Sequence, residues 1–192
     1  MSTTVYIVRH AQSVKDQGSE STRPLSNEGV IASKKLVHYF LDKNIKQVIS
    51  SPYTRAVQTV KPLAKKLNLN IEIIGDLREC EFVADNQILS DSEVYPLVEK
   101  MFADENFSQA GAESFSQCQS RAFKTFYTLL GDYQNSNIVL CSHGFLIMSL
   151  CNYFDKSYDF ESLKKSSKPD LYELTFDDEK LKEISRINNL NI

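Results

Sequence analysis

Short apolar runs that alternate with helical patterns constrain the fold of this chain more than any other feature. Each run is typical of a buried strand, because aliphatic and β-branched residues dominate it. The runs lie at Thr4–Arg9, Gln47–Ser50, Asn70–Ile74 and Asn137–Cys141. Two further runs, Leu171–Phe176 and Leu181–Ile187, flank an Asp177-Asp178 turn and indicate a hairpin at one sheet edge. Strands that alternate with helices predict an α/β fold in three layers, α/β/α, around a mostly parallel, doubly wound central sheet.

The expected helices begin at recognisable capping residues. Ser26 is a good N-cap, and a stripe of Val30, Ser33, Val37 and Phe40 is expected to face the core. Ser51 and Pro52 predict a second helix that has Ser51 as its N-cap and Pro52 at its first position. Residues 83–112 are expected to pass over the strand ends, with a helix near 90–102. Since neither a linker nor a repeat interrupts the pattern, residues 1–192 are expected to form a single domain.

Composition and charge exclude several classes of function. The 192 residues are 42% hydrophobic and 24% charged, with a net charge of −3. Since the chain has no excess of basic residues, neither a nucleic acid nor a membrane is expected as a partner. The first residues, MSTTVYIV, lack the regions of a signal peptide, and no apolar run reaches the length of a membrane span, so a cytoplasmic location is expected. The 4 cysteines and 3 histidines do not have zinc-site spacing, and no metal or cofactor is expected.

Polar side chains suited to phosphoryl chemistry follow the predicted strands. They are Arg9 and His10, then Arg55, Glu79, and finally Ser142-His143-Gly144. The carboxyl ends of parallel strands meet at one edge of a sheet, so these side chains are expected to converge. Guanidinium groups match phosphate oxygens, and Gly144 opens a helix whose free N–H groups favour anions. A neutral imidazole can attack phosphorus and a carboxylic acid can protonate the leaving oxygen, while arginines and a protonated histidine neutralise the phosphoryl charge.

The ordered set of motifs resembles the histidine phosphatase superfamily, which includes the cofactor-dependent phosphoglycerate mutases. The matching residues are Arg9-His10-Ala11, Pro24-Leu25-Ser26 with Gly29, Ser50-Ser51-Pro52 with Arg55, Leu77-Arg78-Glu79, Glu113-Ser114 with Arg121, and Ser142-His143-Gly144. The resemblance implies a phosphoglycerate mutase-like fold and a phosphohistidine intermediate on His10. It further implies that Arg9, Arg55 and a cationic His143 hold the phosphoryl group.

The same resemblance assigns four more residues. Glu79 is the implied proton donor to the leaving group, and Gly144 contributes its backbone to phosphate binding. Gln12 and Ser13 are implied polar neighbours of the phosphate.

Several positions depart from the pattern of the superfamily. Ala11 replaces the usual glycine after Arg-His, which is tolerable unless the backbone needs a positive φ there. Asp16 stands where the mutases tend to have asparagine. After Glu79 the sequence continues as CEFVADNQ, so Glu81 is a rival acid, although a solvated surface role is the better interpretation of Glu81. For Glu113 a solvated surface role is likewise the better interpretation, with a structural or loop-anchoring role as the alternative, and His38 is expected on a helix surface without a catalytic role.

Three functions are compatible with these residues. The first is a metal-independent phosphomonoester hydrolase that acts through phosphohistidine, on a small phosphorylated metabolite or another phosphomonoester. The second is a phosphoglycerate mutase that uses the same chemistry. The third is a catalytically silent binding or regulatory module on the same fold, against which the intact set of candidate residues argues. Specificity is expected to reside in residues 15–23 and 83–112, and no pattern assigns an oligomeric state.

Overall fold

A computed structural model describes residues 2–187, within which six strands form one sheet in the order β3-β2-β4-β1-β5-β6. The strands are β1 (Ser2–Arg9), β2 (Ile45–Ser50), β3 (Ile71–Ile73), β4 (Asn137–Ser142), β5 (Asp170–Asp177) and β6 (Lys180–Arg186). The helices are α1 (Asn27–Phe40), α2 (Thr54–Leu67), α3 (Asp91–Ala103), α4 (Phe115–Asp132), α5 (Gly144–Phe154) and α6 (Phe160–Lys164). Two short 3₁₀ turns, Gly75–Leu77 and Ala84–Asn86, lie between β3 and α3.

The strand pairing brings the ends of the parallel strands together. β1, β2, β3 and β4 run parallel to one another, and Arg9 at the end of β1 lies opposite Ser142 at the end of β4. On the other side of β4, Ser50 of β2 lies opposite Cys141. The residues that follow these three strands therefore emerge at one edge of the sheet, as a doubly wound fold requires. β5 and β6 pair antiparallel, with β6 at the edge, which confirms the predicted hairpin.

Both faces of the sheet are covered by helices. Alternate residues of β1 enter two separate hydrophobic clusters, because successive side chains of a strand point to opposite faces. Val5 and Ile7 pack with α4 and α5, whereas Tyr6 and Val8 pack with α1 and α2. This arrangement confirms the three-layer α/β/α class. None of the helices within residues 2–187 is long and apolar enough to span a membrane.

Two details of the helices differ from the sequence-based expectation. Ser26 caps α1 as predicted, accepting a hydrogen bond from the Gly29 N–H, but the buried face of the helix carries Gly29, Ser33, Leu36 and Phe40. Val30 is on the exposed side instead. The helix packs with Gly29 against the Gln12 carbonyl, where no side chain fits, and this rotation of the helix leaves the neighbouring Val30 outside the core.

The start of α2 also differs. The helix begins at Thr54, with Tyr53 as its N-cap, so the expected capping role of Ser51 is wrong. The Ser51 hydroxyl lies instead 2.7 Å from Nε2 of His143, a partner on another strand end that the local sequence does not reveal.

Substitution of Gly29 by alanine is expected to destabilise the protein by about 1–3 kcal/mol. A Cβ atom at this position collides with the carbonyl oxygen of Gln12, a backbone atom that cannot move without shifting the end of β1. Gly131→Ala is the matched control, because its Cβ meets no atom within 4 Å and alanine favours a helix. Urea unfolding compares the two free energies of unfolding. A Gly29→Ala protein as stable as the Gly131→Ala protein would contradict this packing.

Candidate active site

A pocket opens at the carboxyl edge of the parallel strands and contains most of the predicted site residues. Its lining includes Arg9, His10, Arg55, Glu79 and Gly144. His143 is fully buried directly beside it, and its ring centroid lies 5.2 Å from that of His10. The strand register therefore places the dispersed sequence motifs in one site.

Two hydrogen bonds hold the His10 ring. Its Nδ1 lies 2.7 Å from the Ala11 carbonyl oxygen, which can only accept, so Nδ1 carries the proton. Its Nε2 accepts a hydrogen bond from Nε of Arg55 at 3.1 Å and therefore presents its lone pair. Burial, reinforced by the positive charge of Arg55, holds the pKa of His10 well below its ordinary value. The ring is consequently a neutral imidazole with Nε2 as its basic, nucleophilic atom.

Arg55 is almost fully buried in the first turn of α2, with an exposed fraction of 1%. Besides His10, its guanidinium group contacts Glu20: Nη2 lies 2.6 Å from the carboxylate, and Nη1 donates to the backbone carbonyl. Its carbon centre also lies 4.9 Å from the centroid of the Tyr53 ring. Burial lowers the pKa of Arg55 to about 10, although the Glu20 charge opposes this effect. Arg55 is thus a cation whose contacts are all directed to the site.

Glu20 and Arg23 belong to the site. Both lie in the segment 15–23, where specificity was expected to reside, but neither was predicted individually as a site residue. Both line the pocket, and Arg23 pairs with Glu20 through Nε at 2.9 Å and donates to the Ser13 hydroxyl. Residues 15–23 are as irregular as expected, but Arg23 is buried. The signal that was missed is the position of Arg23 directly before Pro24, where the chain turns into α1 beneath the pocket.

Arg9 reaches the pocket because residue 144 has no side chain. Its Nη1 donates to the carbonyl and hydroxyl oxygens of Ser166, while its buried Nε has no hydrogen-bond partner within residues 2–187. A Cβ atom on Gly144 would lie 2.8 Å from Nη2 and 3.0 Å from Nε of Arg9. Gly144 therefore allows the guanidinium group to lie against the N-terminus of α5.

The surroundings of His143 disfavour the cationic form that the resemblance implies. Burial lowers the pKa of His143 well below its ordinary value, and the nearby charge of Arg55 acts in the same direction. Its Nε2 pairs with the Ser51 hydroxyl, and its Nδ1 is without a partner among the described residues. The sequence could place this histidine at a strand end but could not show how completely the ring is buried.

Glu79 is held at the N-terminus of α5. Its carboxylate accepts hydrogen bonds from the backbone N–H groups of Cys80, Phe145 and Leu146, at 3.0, 3.1 and 3.0 Å. Burial raises the pKa of Glu79 above its ordinary value, although these hydrogen bonds and the Arg55 charge act against the rise. The group is thus a fixed carboxyl in the same pocket as His10, with an increased tendency to hold a proton.

The rival acid lies elsewhere. Glu81 is absent from the pocket lining and pairs with Arg78 at 3.3 Å. Glu113, whose side chain is 15% exposed, pairs with Arg121 at 2.6 Å and accepts a hydrogen bond from the Glu81 N–H. It therefore has the structural role, and the interpretation of Glu113 as a solvated surface carboxylate is wrong. Of these carboxylates only Glu79 faces the pocket.

Comparison with known proteins decides the family. Residues 5–190 match the histidine phosphatase superfamily (branch 1). The chain belongs to this superfamily. Phosphohistidine phosphatase SixA of Escherichia coli (strain K12) is 32% identical over 80 residues, which cover 40% of this chain and half the length of SixA.

Solved structures of the superfamily share the fold. The mycobacterial glucosyl-3-phosphoglycerate phosphatase has a TM-score of 0.76 with 18% identity, covering 97% of both chains. Phosphoglycerate mutase from Bacillus anthracis has a TM-score of 0.77 with 18% identity, covering 99% of this chain and 94% of the mutase. These similarities confirm the expected phosphoglycerate mutase-like architecture.

The departures from the superfamily pattern have local explanations. Ala11 is fully buried and is not among the described residues with a positive φ, so glycine is not needed there. Its N–H donates to the Thr59 hydroxyl at 2.9 Å.

The two implied polar neighbours of the phosphate lie outside the pocket lining. The Gln12 side chain is exposed, and Ser13 reaches the site only through Arg23. Asp16 and His38 are exposed outside the pocket, which for His38 is the expected position.

One cluster of described residues has the spacing of a metal site. The ligand atoms of Cys80, Glu113 and Cys118 lie within 4.8 Å of one another. However, Arg121 and Arg78 already neutralise the Glu113 carboxylate, and burial raises the pKa of the Cys80 thiol well above its ordinary value. A neutral thiol beside a paired carboxylate is a poor ligand set for a cation, so this cluster is better explained as packing.

Gly144→Ala is expected to lower kcat/KM for phosphomonoesters about tenfold or more, because it moves Arg9 and one charge-assisted contact is lost. Alanine favours the first turn of α5, and the three atoms nearest to its Cβ all belong to the Arg9 side chain and not to the backbone, so the melting temperature should change little. Steady-state kinetics with an aryl phosphate, alongside thermal unfolding, measures both quantities. The expectation fails if Gly144→Ala matches the Gly131→Ala control in kcat/KM.

Proposed function

We propose that this chain is a single-domain, metal-independent phosphomonoester hydrolase that acts through a phosphohistidine intermediate on His10. The observation that carries the proposal is the neutral His10 ring, whose Nε2 lone pair lies 3.1 Å from a guanidinium nitrogen of Arg55 in an open pocket. A nucleophile placed directly beside a buried anion-binding cation is suited to attack on a phosphoryl group.

The phosphoryl group binds among the buried donors of the pocket. The unpaired Nε of Arg9, the guanidinium group of Arg55 and the imidazole of His143 bind its oxygens. Because the carboxylate of Glu20 already contacts Arg55 and Arg23, the incoming anion shares or replaces these contacts. A bound dianion also supplies the negative charge that His143 needs to become protonated.

Two chemical steps then follow. In the first, His10 Nε2 forms a bond to phosphorus while the bond to the ester oxygen breaks, and Glu79 gives its proton to that oxygen. In the second, the Glu79 carboxylate takes a proton from a water molecule, whose oxygen attacks phosphorus and releases phosphate from His10. Glu79 is thereby protonated again and the histidine is neutral.

The cations of the pocket provide the charge stabilisation that the reaction needs. The charge of the transferring group spreads over its equatorial oxygens, and preorganised donors at those oxygens contribute about 10²–10³ each in kcat. Arg9 and Arg55 are preorganised by burial and by contacts with Ser166 and Glu20. Metal independence is proposed because these groups supply the positive charge.

The sequence relative SixA supports hydrolysis over the mutase reaction, whereas the solved structures include both a phosphatase and a mutase. SixA removes phosphoryl groups according to its name, and one structural neighbour is a phosphatase of a sugar phosphoglycerate. The test is incubation with 3-phosphoglycerate and a trace of 2,3-bisphosphoglycerate, followed by quantification of inorganic phosphate and 2-phosphoglycerate. Rapid formation of 2-phosphoglycerate with little phosphate release would favour the mutase.

His10→Ala is expected to abolish phosphomonoester hydrolysis, because it removes Nε2, the atom that attacks phosphorus in the proposed mechanism. His38→Ala is the matched control, since His38 is exposed on α1. Release of phosphate from p-nitrophenyl phosphate is measured with and without EDTA. Activity retained by His10→Ala refutes the nucleophile, and inhibition of the wild-type protein by EDTA contradicts metal independence.

Glu79→Gln is expected to slow hydrolysis most for phosphomonoesters with poor leaving groups, because these need the proton. In the wild-type protein, kcat/KM should fall as pH rises through the raised pKa of Glu79, while the lowered pKa of His10 preserves the nucleophile at acidic pH. Glu81→Gln serves as the control. Leaving-group and pH series for both variants provide the measurement. Equal slowing for aryl and alkyl phosphates would remove Glu79 from the role of acid.

A further inference from the structure

Within residues 2–187, one cation of the pocket has neither a hydrogen-bond nor an ion-pair partner. Four of the pocket's five Lys and Arg side chains are engaged: Arg9 with Ser166, Lys15 with Asp91, and Arg23 and Arg55 with Glu20. The fifth, Lys168, makes no hydrogen bond or ion pair with any residue in the described range 2–187. An unpaired ammonium group in a substrate pocket is available to a ligand.

The segment that carries Lys168 is fixed against the site. Ser166 accepts hydrogen bonds from Arg9 with both its carbonyl and its hydroxyl oxygen. On the other side, the Ser167 N–H donates to the Asp170 carboxylate at 3.2 Å, and its hydroxyl donates to the Pro169 carbonyl at 2.7 Å. The backbone of Lys168 is therefore anchored next to the proposed phosphoryl site.

The positive charge of the pocket is larger than the negative charge of a simple phosphomonoester. Five Lys and Arg side chains face three carboxylates, those of Glu20, Glu79 and Asp91. With Glu79 protonated, as its proposed role as acid requires, the pocket carries an excess of three positive charges. A phosphomonoester dianion neutralises two of them, which leaves one charge for a second anionic group.

The remaining lining suits the organic part of such a substrate. Val94, Tyr95 and Val98 of α3, together with Phe82 and Leu163, form an apolar wall of the same pocket. This wall can pack against a short carbon chain or a ring, while the two ends of the ligand contact cations.

We infer that Lys168 forms a second anion subsite, and that the substrate is a phosphomonoester carrying a further anionic group such as a carboxylate. This inference rests on the proposed phosphatase function, since it assigns the phosphoryl group to Arg9, His10 and Arg55. Lys168 acts in specificity and takes no part in the chemical steps.

The test compares ligands that differ only in the second anion. The pairs are 3-phosphoglycerate with glycerol 3-phosphate, and 4-carboxyphenyl phosphate with phenyl phosphate. Dissociation constants are measured by calorimetry on the His10→Ala protein, in which binding is separated from turnover, with Lys168 intact or changed to Gln or Arg. Lys165→Gln is the matched control, because Lys165 is an exposed lysine on the same segment outside the pocket.

In at least one pair, the carboxylate ligand should bind more tightly, and Lys168→Gln should reduce this preference about tenfold or more. Lys168→Arg should retain the preference and Lys165→Gln should not change it. If Lys168→Gln weakens both members of each pair equally, the lysine contacts the phosphoryl group and the second subsite is wrong. Absence of any effect, or of measurable binding, also overturns the inference.

The pH dependence of this binding preference provides an independent test. Lys168 is an exposed residue, as Lys165 is, but its ammonium group is partly desolvated inside the pocket. This partial desolvation, with the Arg9 charge of β1, lowers the pKa of Lys168 to about 8, and Lys15 and Arg23 act in the same direction against Asp91 of α3. The preference for the carboxylate ligand should therefore weaken as pH rises through about 8 in the protein with Lys168, and persist in Lys168→Arg. A preference independent of pH in both proteins contradicts the subsite.

The two proposals fail in different ways. Carboxylate selectivity that depends on Lys168, in a chain whose wild-type form hydrolyses no phosphomonoester, would keep the subsite and refute the phosphatase. Hydrolysis that depends on His10, without selectivity from Lys168, would do the reverse.

Discussion

The buried charge of Arg55 is the constraint on which the rest of the site depends. A guanidinium group with 1% of its surface exposed would cost several kcal/mol if it were left unpaired. Its nitrogens are directed to the lone pair of His10 and to the carboxylate and carbonyl oxygens of Glu20. One side chain thus connects the end of β1, the first turn of α2 and the irregular segment 15–23. The carboxylate of Glu20 occupies contacts that a phosphoryl group would also use, so the site is already arranged around an anion.

The same positive field controls the protonation of the histidines. Arg55 and Arg9 lower the pKa values of His10 and His143 in addition to the effect of burial, and the neutral form of both rings is therefore favoured. For His10 this is the nucleophilic form, and the Ala11 carbonyl fixes its proton on Nδ1. In the proposed mechanism, attraction of an anionic substrate and preservation of an unprotonated nucleophile thus have one physical cause. The pKa of Glu79 shifts in the opposite direction, because burial favours the neutral acid of a carboxyl group and outweighs the positive charge of Arg55.

Much of this arrangement could be predicted from sequence, and the failures have a common cause. The strands are short apolar runs, and parallel pairing alone brings Arg9, Arg55 and His143 to one edge. Segment 15–23 was expected to set specificity, but the individual positions of Glu20 and Arg23 in it, and that of Lys168, were not predicted. These residues lie in segments without periodicity, whose paths depend on tertiary contacts. The cap assigned to Ser51 was wrong for a similar reason, since its hydroxyl pairs with a residue 92 positions away. The charge of His143 depends on burial, which a motif does not report.

The most direct test of the account is to trap the phosphoenzyme during turnover and locate its phosphoryl group. Rapid quenching into alkali preserves phosphohistidine, and mass spectrometry with phosphorus NMR identifies the residue and the ring nitrogen. Because Nδ1 of His10 carries the proton and Nε2 presents the lone pair, the account predicts acid-labile phosphate on Nε2 of His10, formed and lost at rates that match turnover. Phosphate on Nδ1, on His143 or on no histidine at all would contradict it.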